Sequence, residues 1–270
     1  MAKRKDDASR TMPLTLAALR QHGALEDLSL PVGRFDPRGE WRHTYQIWLV
    51  GNRARRIGGV LQLGRSAAAG NGSVTLKVDM SVVQLAGTIH RTKATLQCAA
   101  DPLATPRSWQ IESTIVDSSG KPLDVTTVAE SARVKDGTIE VTAGTRKFVR
   151  NVARVFTSNW SLFDAVQRLS GEETKPLEFA LLEDLDLLKE GQRLSYWKTM
   201  DFELGGRTLR LHGYQQIGNG ILPYQYWVDD QHRLLFAISG VRAYLFDPEA
   251  PNRLEQRLQG PAASKRRQTR

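Results

Sequence analysis

Asp201 and Glu203 stand two residues apart in a segment that alternates apolar and polar side chains, so both carboxylates leave one face of a strand. Successive same-face residues of a strand lie about 7 Å apart, a separation that suits the paired carboxylates of glycoside hydrolysis. Arg210, His212 and Tyr214 share the polar face of the next alternating segment. Together they have the donors to bind a carboxylate or a sugar. Neighbouring acids and polar residues are also what any solvated strand face carries. The chain has no HExxH, no Walker A sequence and no G-x-S-x-G. Its histidines, His22, His43, His90, His212 and His232, are far apart and lack metal-ligand spacing. The sequence therefore assigns no catalytic residue and calls for no metal or organic cofactor.

Cys98 is the only cysteine. It permits no internal disulfide and no thiolate metal cluster. It follows Leu96 in an alternating segment and reads as a small buried hydrophobe rather than a nucleophile.

The net charge of +9 sits mostly at the ends: residues 1–10 carry +2, residues 261–270 carry +4, and the 250 residues between them carry +3. Such tails are either solvated termini or weak electrostatic contacts for nucleic acid or anionic lipid. No apolar run approaches the roughly 20 residues of a membrane-spanning helix. Lys3-Arg-Lys followed by Met12-Pro-Leu-Thr-Leu-Ala-Ala-Leu is either a weak secretory signal or a short helix from Pro13 to Gln21 with Gly23 past its end. A retained segment is the favoured reading.

The elements that position these residues are strands. From Leu194 to Phe246 the chain alternates with period two, broken at Gly205-Gly206, at Gly218 to Gly220 and at Asp229 to His232. That is the pattern of antiparallel hairpins with one buried face. Upstream, Val74, Leu76, Val78, Met80 and Val82 make the cleanest strand, and Asp136-Gly137 a tight turn. The period changes once: Trp160, Phe163, Val166 and Leu169 have helical spacing, with Ser158 or Asn159 as N-cap. Leu177 to Leu188 fits either a short helix or a strand and turn. The resulting picture is mainly β: a curved antiparallel meander, or half-barrel, covered by one central helix over 159–169, with a short N-terminal helix. About seven strands precede the central helix and about five follow it. Residues 1–39 read as an N-terminal extension, 40–248 as one β domain, and 249–270 as a basic tail expected to be disordered.

Three segments carry a resemblance: Tyr45-Gln-Ile-Trp-Leu-Val-Gly, Asn159-Trp-Ser-Leu-Phe-Asp-Ala-Val, and Leu222-Pro-Tyr-Gln-Tyr-Trp-Val-Asp-Asp-Gln-His-Arg-Leu-Leu. Placed in a meander around a central helix, they resemble the outer-membrane lipoprotein carrier (LolA/LppX-like) superfamily, among secreted bacterial proteins. The resemblance implies a periplasmic or extracellular setting, the cytoplasm being the alternative. It also implies a non-catalytic carrier that holds a lipid or another apolar molecule between sheet and helix. Trp160 and Phe163 on the helix, and Tyr214, Tyr224, Tyr226 and the nearby polar His212 on the late strands, are the ligand-binding candidates under that reading. Two alternatives stay open: a carbohydrate-active hydrolase or lyase on a curved sheet, and a structural or interaction protein acting through its basic tails.

Overall fold

A computed structural model describes residues 14–50, 57–66, 72–84, 87–173 and 175–259. The basic tails and Pro13 lie outside the described residues. After helix α1 (Leu16–Gln21) come β1 (Trp41–Leu49), β2 (Gly59–Ser66), β3 (Ser73–Val83), β4 (Ile89–Ala99), β5 (Pro106–Val116), β6 (Val128–Lys135), β7 (Thr138–Ala143) and β8 (Arg146–Asn151). A short β9 (Phe156–Ser158) leads into helix α2 (Asn159–Ala165). The sheet is completed by β10 (Leu177–Glu183), β11 (Leu187–Leu204), β12 (Arg207–Ile217), β13 (Tyr224–Asp229), β14 (Leu234–Ser239) and β15 (Arg242–Phe246), before helix α3 (Ala250–Gln259).

Among the described residues, fifteen strands form one sheet, in the order β8-β7-β6-β5-β4-β3-β2-β1-β15-β14-β13-β12-β11-β10-β9. Every neighbouring pair is antiparallel except β9 and β10. Laid flat, fifteen strands would hold β8 and β9 about 67 Å apart. The chain joins Asn151 to Phe156 directly, a span of at most about 18 Å. The sheet must therefore curl until its edges approach. Arg150 on β8 meets the turn between β10 and β11 there, with Nη2 3.2 Å from Asp186 Oδ1 and a further bond to the Asp186 carbonyl.

Parallel strands need a crossover, and residues 159–173 provide it by passing over the inner face of the sheet. Ser158 caps α2, its Oγ accepting from the Ser161 N–H at 3.0 Å. The helix continues as a 3-10 turn over Val166–Arg168. This is the central helix that the spacing of Trp160 and Phe163 predicts. Among the described residues nine strands precede it and six follow; the two extra ones before it, β8 and β9, show no alternation in the sequence. Leu177 to Leu188 resolves as β10 and the start of β11.

Asp164 fixes α2 against the sheet. Its side chain is fully buried, with Oδ1 2.9 Å from Arg65 Nε of β2 and Oδ2 2.9 Å from Arg168 Nε and Nη2. Arg65 also donates to the carbonyls of Arg38 and Gly39, and Arg168 to those of Asp101 and Pro102. Burial pushes the Asp164 carboxyl above the usual range, and the two guanidiniums oppose that shift.

The opposite face of the central strands is covered by residues 14–28. The backbone N–H of Leu14 donates to the Gly240 carbonyl, Gln46 Nε2 to that of Ala24, and the Arg20 guanidinium lies 4.2 Å from the Phe202 ring centroid. Leu14, Leu16, Leu19 and Leu25 are buried in the main core. The N-terminal stretch is thus part of the β domain's core rather than an extension beside it. Helix α1 starts at Leu16 because Thr15 caps it, accepting from the Ala18 N–H at 3.1 Å. The expectation of a disordered tail from residue 249 is corrected by α3. That helix seats Ala250 and Leu254 against Ile57 and Val60, with Arg253 Nε 2.9 Å from Asp247 Oδ2.

His43 sits in a ring cluster on the inner face, stacked on Trp41 at 4.6 Å and edge-on to Phe246 at 5.3 Å. Burial, and then the charge of Arg233, push its imidazole down to about 3.

Removing one member of a buried ion pair strands the other, so Asp164→Ala is expected to cost about 3–5 kcal/mol by urea unfolding. A loss under about 1 kcal/mol would refute its pinning role. For His43, the unfolded chain takes up a proton near about pH 6.5 that the native state refuses until far lower. Its contribution is complete above that pH and falls away as the pH drops towards 3. Unfolding free energies of His43→Phe should therefore fall less steeply than those of the parent between about pH 7 and pH 4.5. Identical slopes would contradict the assignment.

Candidate functional site

The inner face of the late strands is a row of tyrosines. Register places Tyr214 of β12 opposite Tyr226 of β13, Tyr226 opposite Ala237 of β14, and Ala237 opposite Tyr244 of β15. One step along, Tyr224 faces Ser239, which stands at the hairpin leading to Arg242. Small side chains on β14 between tyrosines on both neighbours leave space on this face. Phe163 of α2 drops into the aromatic row, edge-on to Tyr45 at 5.5 Å, to Tyr226 at 6.3 Å and to Tyr244 at 5.2 Å.

The space that remains is a cavity of about 320 Å³. Trp160 and Phe163 line it from α2, Tyr224 and Tyr226 from β13, Ser239 from β14, and Arg242 and Tyr244 from β15. Leu181, Glu183, Asp184 and Lys189 contribute the β10–β11 side. Ile221, Leu222 and Val241 form an apolar part of its wall, with Leu222 and Val241 each about half exposed. A volume of this size, walled by aromatic and aliphatic side chains on one part and by polar and charged ones on another, falls in the range of a small-molecule site.

The polar groups are specifically engaged. Tyr226 donates to Gln216 Oε1 at 2.9 Å and stacks on Tyr224 with ring centroids 5.1 Å apart. Arg242 Nη1 donates to the Tyr244 hydroxyl at 3.1 Å. Lys189 Nζ pairs with Glu183 Oε2 at 2.7 Å, and Asp184 Oδ1 accepts from Asn159 Nδ2 at 2.8 Å. Burial pushes the phenols of Tyr224, Tyr226 and Tyr244 above the ordinary tyrosine range, so all three stay protonated at neutral pH.

Of the six residues singled out from sequence, Trp160, Phe163, Tyr224 and Tyr226 surround this cavity and Tyr214 and His212 do not. Tyr214 is fully buried; its hydroxyl accepts from the Gly171 N–H at 2.9 Å and donates to the Leu169 carbonyl at 3.3 Å. It anchors the chain leaving α2. His212 belongs to a relay across β11–β13. Its Nδ1 lies 3.0 Å from Thr199 Oγ1 and its Nε2 3.1 Å from Asp230 Oδ1, while Thr199 Oγ1 lies 2.6 Å from the Tyr196 hydroxyl. Asp201 and Glu203 are exposed on the β11–β12 hairpin, opposite Arg210 and Thr208. Cys98 is buried 3.8 Å from Ser161 Oγ, and burial pushes its thiol up to about 12.

Arg242 was missed, although Arg242, Tyr244 and Phe246 alternate and so place a cation on an aromatic face. A wider depression of about 740 Å³ lies on the outer face of β1–β7. Its charges match across strands, Asp79 opposite Lys93 and Lys93 opposite Glu112, as on a solvated sheet.

No family model and no curated protein matches the chain. Among solved structures, the chain is similar to the crystal structure of a beta-barrel-like protein of Domain of Unknown Function DUF1849 from Brucella abortus, with a TM-score of 0.50 and 10% identity. The match covers 78% of this chain and 97% of that one. At that identity the likeness concerns the fold alone: a mainly β, barrel-like curved sheet.

Tyr214→Phe removes both hydrogen bonds at the end of α2. It is expected to cost about 1–3 kcal/mol in denaturant unfolding. An unchanged unfolding midpoint would show that Tyr214 does not anchor this segment.

Proposed function

We propose that this is a non-catalytic binding protein that holds an apolar small molecule or lipid in the cavity between α2 and β13–β15. The carrying observation is that cavity: about 320 Å³ on the inner face of a curved sheet, walled by Trp160, Phe163, Tyr224 and Tyr226. Aromatic walls supply large apolar area at small cost in side-chain entropy. The half-exposed Leu222 and Val241 give an apolar ligand a continuous path from the rim inwards. The barrel-like sheet is compatible with the lipoprotein-carrier resemblance, and on that resemblance the setting is periplasmic or extracellular. Among the described residues no helix is long and apolar enough to cross a membrane.

Native mass spectrometry of the full chain, with organic extraction of what co-purifies, tests this reading. The expected result is a bound apolar molecule, or uptake of an added one, that is lost in Phe163→Asp. An unchanged apo mass in the presence of added apolar ligands would overturn it.

A further inference from the structure

The cavity's polar groups lie on two sides, the β10–β11 side with Glu183, Asp184 and Lys189, and the β13–β15 side, where three hydrogen-bond donors face the same space. Arg242 is partly buried, and no carboxylate lies within 4.0 Å of its guanidinium among the described residues. Its Nη1 donates to the Tyr244 hydroxyl, which leaves the Tyr244 proton free to point elsewhere. Neither that O–H nor the Tyr224 O–H has a protein acceptor among the described residues. The contrast with neighbouring tyrosines is informative. Tyr45, Tyr214 and Tyr226 all donate to protein oxygens, as buried phenols do. Tyr224 and Tyr244 line the cavity and do not.

A fixed guanidinium with two neutral phenols is a donor set without an acceptor. Its complement is a group with several lone pairs and a negative charge, held by charge-assisted hydrogen bonds. Lys189 does not compete for that group, because Glu183 already pairs with it at 2.7 Å. Asp184 also lines the cavity and opposes an anion from the β10–β11 side.

We infer that the ligand is a single-chain amphiphile with an oxyanion headgroup, a carboxylate or a phosphate, whose head is held by Arg242, Tyr244 and Tyr224 and whose tail lies against Trp160, Phe163 and Tyr226. The inference rests on the apolar-ligand reading above and adds the headgroup to it.

Isothermal titration of the full chain with decanoate, decyl phosphate and decanol tests it. At least one acid is expected to bind about tenfold more tightly than the alcohol, and the tighter of the two identifies the headgroup. Arg242→Gln should bring that acid's affinity down towards the alcohol's. Because Arg242 also braces Tyr244, two further variants test the same point. Tyr224→Phe should weaken the acid, and Asp184→Asn should tighten it. Acids and alcohol binding alike, or acid affinity indifferent to Arg242→Gln, Tyr224→Phe and Asp184→Asn, would overturn the headgroup assignment while leaving an apolar-ligand protein. Failure of all three probes to bind would overturn both readings.

Discussion

The carboxylate of Asp164 has no access to water and lies between two guanidiniums that themselves reach into other parts of the chain. Through Arg65 it holds β2 and the carbonyls at 38–39; through Arg168 it holds the loop at 101–102. A helix lying on an apolar sheet gains its energy from burial, which has no direction and leaves the angle of the helix loosely set. Charge-assisted bonds have direction. Once Asp164 is held, the turn of helix that carries Trp160 and Phe163 meets the tyrosine row in one orientation. The arrangement is costly to desolvate, and the upward push on its carboxyl reflects that cost. It is tolerable because each oxygen lies 2.9 Å from a guanidinium nitrogen, Oδ2 with the hydrogen bond from Arg168 and Oδ1 with the ion pair to Arg65.

Most of the sheet was legible because period-two alternation is a direct imprint of a surface with one wet side and one dry side. The clean strand at Val74 to Val82 lies within β3, and the Asp136-Gly137 pair turns the chain with both residues at positive φ, 48° and 76°. Where the imprint was absent, so was the reading. In β8 nearly every residue is exposed, because it is an edge strand. In β11 a bulge between Tyr196 and Lys198 switches the faces, so Tyr196 points with Tyr214 to the inside while Phe202 packs on the other side under Arg20. Asp164 reads locally as an acid four residues before Arg168. Its second partner, Arg65, is about 100 residues away and belongs to another element.

The candidate site divides along the same line. Aromatic residues were found by type, but type alone does not separate a tyrosine that fills the core from one that faces a ligand. That depends on what the hydroxyl meets. For Tyr214 it is the backbone leaving α2, and for Tyr226 it is Gln216. The cavity itself owes room to what is missing: the small Ser239 of β14 lines it opposite Tyr224. Across the sheet the same logic runs in reverse at Gly213, where a Cβ would come within 2.7 Å of the Trp227 ring. Trp227 can lie flat against β12 only because that position is bare.

The pairing of β1 with β15 joins segments about 200 residues apart, Tyr45 opposite Phe246. Strands β1 to β8 can pair with their sequence neighbours as they emerge during synthesis, but their apolar face has no cover until α2 exists. The centre of the sheet cannot close until nearly the whole chain has been made. Pairings of such long sequence separation slow folding, and an uncovered apolar meander is prone to associate with others meanwhile. The topology that places the cavity beside the last hairpin thus makes the finished cavity a late event in the life of the chain, and makes its first half dependent on its last strand.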